Sequence, residues 1–93
     1  MRKYDYLVCE KGSNIAFAVV KDVEANTSLS NINLINKVGQ AVEDEFCYED
    51  KVKVVHDSIK ENGDASILIS FKGLDDCGDE EIRDFELKLT KIY

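Results

Sequence analysis

Histidine and cysteine are the residues that could give this 93-residue chain nucleophilic or metal chemistry, and both are scarce. His56 is the single histidine, and the cysteines are Cys9, Cys47 and Cys77. A cysteine nucleophile needs a base close to it in space, which sequence cannot show, and His56 is predicted on the same apolar face as Val52 and Val54. A zinc site needs four ligands, usually with closely paired cysteines, and no such pair occurs. We expect no catalytic residue and no metal ligand; the alternative is a small enzyme or enzyme subunit with a site around His56.

The acidic segment 75–86 is the second candidate for chemistry, as a cation-binding loop. Asp75, Cys77, Asp79 and Glu86 fall at the first, third, fifth and twelfth positions of an EF-hand loop. The sixth position requires glycine for a sharp turn, and here it is Glu80. The thiol at the third position is a soft ligand, which suits the hard calcium ion poorly. The five glycines stand alone rather than in a phosphate-binding run. The residues therefore predict a charged loop and no cofactor.

Charge is distributed unevenly along the chain, whose net charge is −7. Residues 1–42 carry a net charge of +1, residues 43–86 carry −10, and residues 87–93 carry +2. Most of the acids fall in two clusters, one at the end of a predicted helix and one before the last predicted strand. The first cluster is Glu43, Asp44, Glu45, Glu49 and Asp50, and the second is Asp75, Asp76, Asp79, Glu80, Glu81, Asp84 and Glu86.

Two interpretations of these clusters are open. One is a solvated face that only keeps the protein in solution. The other is a negative surface that docks a basic protein partner and accelerates its association at low salt. In size and charge the chain resembles small viral inhibitors that mimic nucleic acid, so a nucleic-acid-binding protein is one expected partner. Direct binding to nucleic acid is not expected, because that affinity comes from lysine and arginine at phosphates. We predict an adaptor or inhibitor that binds its partner through the whole first cluster and through five acids of the second. These five are Asp75, Asp76, Asp79, Glu80 and Glu81.

Cysteine content and hydropathy bear on the compartment. An odd number of widely spaced cysteines does not form a disulfide framework and is typical of a reducing compartment. No apolar run approaches the ~20 residues that span a bilayer, and the start of the chain is too charged for a secretory signal. We expect a cytoplasmic protein without membrane contact.

Hydrophobic periodicity predicts the elements that must position these charges. Residues 4–10 and 14–22 favour a β-hairpin with Gly12-Ser13 as a two-residue turn, which pairs Val8 with Phe17 and Cys9 with Ala16. Apolar residues at helical spacing from Ile32 to Phe46 predict a helix capped by Ser28 or Ser30. We expect this helix to cover the small Cys9, Ala16 and Ala18 face of the hairpin. Gly39 within the helix indicates close packing.

The second half of the chain predicts three further strands. Residues 51–60 fit a helix or a strand, and Asn62-Gly63 before the apolar run 66–71 favours a strand and a hairpin. Residues 83–92 alternate apolar and polar side chains, as in a half-buried strand. The prediction is one α+β domain over residues 1–93, in which one helix packs on a single sheet of about five mostly antiparallel strands, in the order ββαβββ.

Aromatic side chains of the first hairpin offer one more surface. Tyr4, Tyr6 and Phe17 are predicted on the face away from the helix. They would form a second small core or an apolar anchor for a partner, since aromatic residues are enriched at interface centres. A homodimer, or a self-associating structural protein without catalytic activity, is the corresponding alternative.

Overall fold

The computed structural model describes residues 3–24, 32–48, 50–55, 58–61 and 66–93. The elements are β1 (Lys3–Glu10), β2 (Ala16–Glu24), α1 (Ile32–Phe46), β3 (Lys53–Val54), β4 (Lys60–Glu61), β5 (Ser66–Leu74) and β6 (Glu80–Ile92). Among the described residues, α1 is the helix of the chain, and it is too short and too charged to cross a membrane. His56, the predicted caps Ser28 and Ser30, and the Asn62-Gly63 turn lie outside these ranges.

All described strands join one antiparallel sheet in the order β2-β1-β6-β5-β3, and β4 also pairs with β5. Strands β3 and β4 are two short parts of one interrupted edge strand. Between them, the Ser58 hydroxyl donates to the Ser70 carbonyl and accepts from the Ser70 N–H, each over 3.2 Å. The Val55 N–H also donates to the Ser70 carbonyl over 2.9 Å, so Ser70 of β5 binds the described residues on both sides of the interruption. The predicted α+β class and ββαβββ order are confirmed.

The register of the first hairpin differs from the prediction. Cys9 pairs with Ala16 as expected, but Val8 pairs with Ala18, so Phe17 is an extra residue on β2. The turn is also longer than two residues, because β2 begins only at Ala16 and the Ser13 N–H bonds the Glu10 carbonyl over 2.9 Å. A β-bulge shifts the register by one residue, and hydrophobic alternation does not reveal its position.

The helix covers the face of the hairpin that carries Tyr6, Val8 and Ala18. The prediction was therefore right for Ala18 and wrong for Cys9 and its partner Ala16. The reason lies in β6, which pairs with β1. Val8 lies opposite Leu87, whereas Cys9 lies opposite Glu86. Covering the second face would bury charged side chains at a cost of several kcal/mol. The side chains that β6 places opposite β1 therefore determine which face of the hairpin packs on α1.

The core lies between α1 and this face of the sheet. Val38 and Val42 of the helix are fully buried, as are Phe85 and Leu87 of β6. Burial of such a side chain contributes about 1.5–3 kcal/mol. The alternation predicted for 83–92 is confirmed, although β6 begins earlier, at Glu80. The buried apolar side chains are Tyr6, Val8, Val20, Val23, Leu34, Val38, Val42, Ile59, Ile69, Phe71, Phe85 and Leu87.

Gly39 lies where α1 approaches the sheet and the edge segment. A Cβ atom at this position would be 3.4 Å from Cγ2 of Val52 and 3.5 Å from Cε1 of Phe71. These are van der Waals distances, so the glycine marks the close packing that the sequence indicates, with space for one methyl group and none for a branched side chain.

Candidate functional site

The end of α1 brings the first acidic cluster to the sheet. The helix ends at Phe46, and Cys47 adopts a left-handed conformation with φ 53°, which is the usual C-terminal stop of a helix. The last turn contains no basic residue. Glu43, Asp44 and Glu45 therefore add to the negative end of the helix dipole, an arrangement that costs a few tenths of a kcal/mol for each exposed acid.

The acids of this first cluster differ in their contacts. The Val52 N–H donates to Oε1 of Glu43 over 2.9 Å, so this carboxylate holds the chain that leaves the helix. Asp44 accepts a hydrogen bond from Gln40 one helical turn away. Glu45 and Asp50 are exposed. Glu49 lies outside the described residues. Glu43 is thus a structural residue, and the other three described acids face solvent.

The turn between β5 and β6 carries the second cluster. Oδ1 of Asp75 accepts the N–H groups of Cys77 and Asp79, each over 2.9 Å, and Gly78 has φ 81°. Asp75 therefore shapes the turn by the local side-chain bonding typical of aspartate. Asp76, Asp79 and Glu80 are exposed, and Glu80 pairs with Lys72 over 3.5 Å. The described residues contain no cluster of metal-ligating side chains, in this turn or elsewhere.

Arg83 joins the two clusters on the helix side of the sheet. Its guanidinium lies 2.7 Å from a Glu81 oxygen and 3.7 Å from a Glu10 oxygen, and its Nε donates to the Tyr48 hydroxyl over 3.1 Å. The guanidinium carbon also lies 4.3 Å from the centre of the Phe46 ring, a cation–π contact. This one side chain links β6, the end of β1 and the segment that follows α1.

Tyr48 completes the link. Its hydroxyl donates to Glu81 over 3.2 Å, and its ring lies on Gly73, where a Cβ atom would be only 3.0 Å from the ring carbons. Burial raises the pKa of Tyr48, and the Glu81 carboxylate raises it further, while Arg83 opposes both. Burial opposes the charge on Arg83, but Tyr48 and the carboxylates of Glu81 and Glu10 raise its pKa. The arginine is fully ionised at neutral pH, so this cluster is a structural clamp.

The clamp brings the two acidic clusters to one end of the molecule. We call this region the acidic end and define it by six exposed acids that lack the structural bonds of Glu43, Asp75 and Glu81. Bases are also present, since Lys51, Lys53 and Lys72 line a 480 Å³ depression beside Asp50 and Glu80. The six acids of the acidic end are Asp44, Glu45, Asp50, Asp76, Asp79 and Glu80.

The opposite end of the sheet contains the one buried acid among the described residues. Asp5 is 7 % exposed and accepts hydrogen bonds from the Tyr93 hydroxyl over 2.8 Å and the Asp22 N–H over 3.1 Å. Burial raises the pKa of Asp5, but these bonds together with Lys21 and Lys91 outweigh it, so the pKa lies below the ordinary value of 3.8. The hydrogen bond from the Tyr93 hydroxyl to Asp5 raises the pKa of Tyr93.

Asp5→Asn is expected to remove a pH-dependent part of stability. A lowered folded-state pKa stabilises the protein above the unfolded-state value near 4, and this contribution disappears as the pH falls through the folded-state value. The difference in unfolding free energy between wild type and Asp5→Asn should therefore be largest above pH 5 and shrink towards pH 2. Urea unfolding at several pH values measures it, with Asp76→Asn as the exposed control. A difference independent of pH would contradict the assignment.

The aromatic residues predicted as partner anchors are on the helix side. Tyr6 is 6 % exposed and belongs to the core, and Tyr4 and Phe17 pack against it. The Phe17 ring contacts the rings of Phe46 and Phe85, each at a centroid distance of 5.7 Å. Their predicted position away from the helix was wrong. The partner role of all three residues stays a prediction, and Phe17 lies at the edge of a groove described below.

The three cysteines belong to no metal-ligating cluster within the described part of the chain. Cys9 is 1 % exposed, and Cys47 and Cys77 are exposed thiols. His56 lies outside the described residues, so the Cys/His alternative is a prediction still to be tested. No family model, curated protein or solved structure matches the chain.

Sequence reasoning missed the clamp. Arg83 is the only base within the second acidic cluster, and that isolation is the signal that could have identified it. The partners Tyr48 and Glu10 could not be identified, because they reach Arg83 only through the folded sheet.

Proposed function

We propose that this chain is a small cytoplasmic protein-binding module, an adaptor or inhibitor, whose acidic end docks a basic protein partner. The observation that carries the proposal is the meeting of two acidic segments, about 30 residues apart in sequence, at one end of the fold. The carboxylates involved are exposed, while the acids that stabilise the fold are separate residues. Three free thiols support the reducing compartment.

The opposite end does not cancel this negative field. Lys91 lies ten residues from Glu81 along β6, which is about 33 Å at 3.3 Å per residue. The Debye length at physiological salt is about 8 Å. A basic partner that approaches the acidic end is therefore attracted by its carboxylates and is screened from the lysines at the far end. Electrostatic attraction of this kind mainly raises the association rate.

A protein that binds nucleic acid is the partner class that this arrangement favours. Such proteins present lysine and arginine at spacings suited to phosphates. Exposed carboxylates on a rigid turn carry the same negative charge as those phosphates. Two hydrogen bonds to the Asp75 carboxylate hold the turn in one shape, so its acids are presented with little loss of entropy on binding.

The proposal predicts that Asp76→Asn/Asp79→Asn weakens partner binding. Exposed ion pairs contribute 0.2–1 kcal/mol each, so two lost charges should reduce affinity roughly 2- to 30-fold. The matched control is Asn33→Lys/Asn36→Lys, which changes net charge by the same amount at exposed positions near the start of α1. The measurement is affinity capture from the source cell with each variant, at low and at high salt, followed by titration of the captured protein.

The outcomes separate surface from net charge. A basic protein retained by wild type and the control, reduced with the Asp76/Asp79 variant and released by salt supports the proposal. Equal loss with both variants means that net charge alone determines binding, and equal retention by all three means that the acidic end is not the docking surface.

A further inference from the structure

A shallow groove lies beside the acidic end, between the β1–β2 turn and the last turn of α1. Its volume is 410 Å³, and Ile15, Phe17 and Phe46 supply its apolar lining. Ile15 is 79 % exposed, the highest exposure of any large apolar residue in the described chain. The groove is therefore a site where apolar surface remains uncovered.

The turn holds Ile15 in place. Gly12 has φ 86°, a conformation that favours glycine. The Ser13 N–H bonds the Glu10 carbonyl over 2.9 Å, and the Ser13 hydroxyl accepts the Ile15 N–H over 3.1 Å. An apolar side chain presented by an ordered turn loses little entropy when a partner covers it.

Charge at the rim selects the ligand. Glu10 and Glu45 line the groove together with a single base, Lys11. Within the described residues, the Glu45 carboxylate has no hydrogen bond or ion pair, and the Glu10 carboxylate makes only its long 3.7 Å pair with Arg83. The groove lies at the C-terminal end of α1, where the helix dipole adds negative potential. A cationic group is the complementary ligand.

The chain itself shows how a guanidinium fits this chemistry. Arg83 lies 4.3 Å from the centre of the Phe46 ring and pairs with Glu10 and Glu81. A planar guanidinium stacks on an aromatic ring and pairs with carboxylates at once, whereas a strongly hydrated ammonium does this less well. At the groove, the Phe17 ring and the Glu45 carboxylate offer a second guanidinium the same two kinds of contact, beside the Phe46 ring and the Glu10 carboxylate that already contact Arg83.

We propose that this groove receives an arginine side chain from a basic segment of the partner, with an apolar neighbour of that arginine packed on Ile15. The inference rests on the proposed function and specifies which part of the acidic surface recognises a particular side chain of the partner. Lysine at the same position binds more weakly, because it does not stack on the rings. The remaining acids of the acidic end act at longer range and do not distinguish the two bases.

The test uses two defined probes on the intact chain. One is a capped hexapeptide of alternating leucine and arginine, and the other has lysine in place of arginine. Titration of the ¹⁵N-labelled protein at low salt should show the arginine peptide binding about fivefold more tightly. The amide shifts should be centred on Ile15, Phe17 and Phe46. Ile15→Ser and Glu45→Gln should each weaken the arginine peptide about threefold or more, and Asp76→Asn should change it less. Dispersed amide spectra establish that each variant is folded.

Other outcomes overturn the inference. Equal affinity for both peptides, with shifts centred on residues 75–81 and no effect of Ile15→Ser, would remove the groove and leave the proposed function standing. Absence of binding by either peptide would overturn both. Groove shifts that appear with protein concentration alone, without peptide, would identify a second copy as the occupant and overturn the arginine assignment.

Discussion

Phe85→Ala is expected to lower the free energy of unfolding by about 3–5 kcal/mol, the usual cost of removing a buried aromatic ring. Phe85 is fully buried and its ring contacts the rings of Phe17, Phe46 and Phe71. These contacts join three strands to the end of α1, so the cavity cannot close by movement of one element. A domain of this size is stable by about 5–8 kcal/mol, so the variant should retain about 0–5 kcal/mol and unfold at a much lower urea concentration.

Urea unfolding followed by circular dichroism measures this loss. The control is Ile82→Ala on the same strand, where the side chain is 59 % exposed and the expected change is below about 0.5 kcal/mol. A Phe85→Ala protein that unfolds within 1 kcal/mol of wild type would show that the aromatic cluster does not seat the helix on the sheet.

Arg83→Met is expected to cost about 2 kcal/mol of stability. Methionine preserves much of the apolar stem but leaves Glu81 and Glu10 without their cation and Tyr48 without its donor. Hydrogen bonds to charged groups contribute about 1.5–3 kcal/mol, and the side chain is 32 % exposed, so solvent reduces the full value.

A double-mutant cycle with Tyr48→Phe separates the clamp from the general effect of losing a charge. We expect a coupling energy of about 0.5–1.5 kcal/mol between the two positions, as for residues in one hydrogen-bond network. The matched charge-loss control is Lys72→Met, whose exposed pair with Glu80 should contribute less than 1 kcal/mol. Additive effects of Arg83→Met and Tyr48→Phe would mean that the two clusters are held together by packing alone.

Element order was predictable because periodicity is a local property. Apolar spacing identified α1 as a helix and β6 as a half-buried strand. The packing of the helix on the sheet follows from the need to bury one apolar face of each. The face of the first hairpin was not predictable, because it depends on a bulge at Phe17 and on the charges that β6 places opposite Cys9 and Leu7. The bulge is a local irregularity that hydrophobic alternation does not mark, and the charges come from residues about 80 positions away in the sequence.

The candidate site shows the same division. Composition located the acidic clusters, but not which acids are structural. Reversal of Glu43 together with Asp44 and Glu45 looks harmless in sequence, yet Glu43 holds the Val52 N–H, so its reversal would perturb the fold as well as the surface. Asp75 and Glu81 are likewise bound to the protein. Binding tests therefore belong on Asp44, Glu45, Asp76 and Asp79.

Mapping the captured basic partner onto the labelled chain is the most direct test of the acidic end as a docking surface. Amide chemical shifts and hydrogen-exchange protection, measured at low salt, should change in residues 44–51 and 75–81, and the changes should diminish together as salt rises. Changes centred instead on the far end, at residues 3–5 and 88–93, or on the face of the sheet opposite α1 would contradict the account.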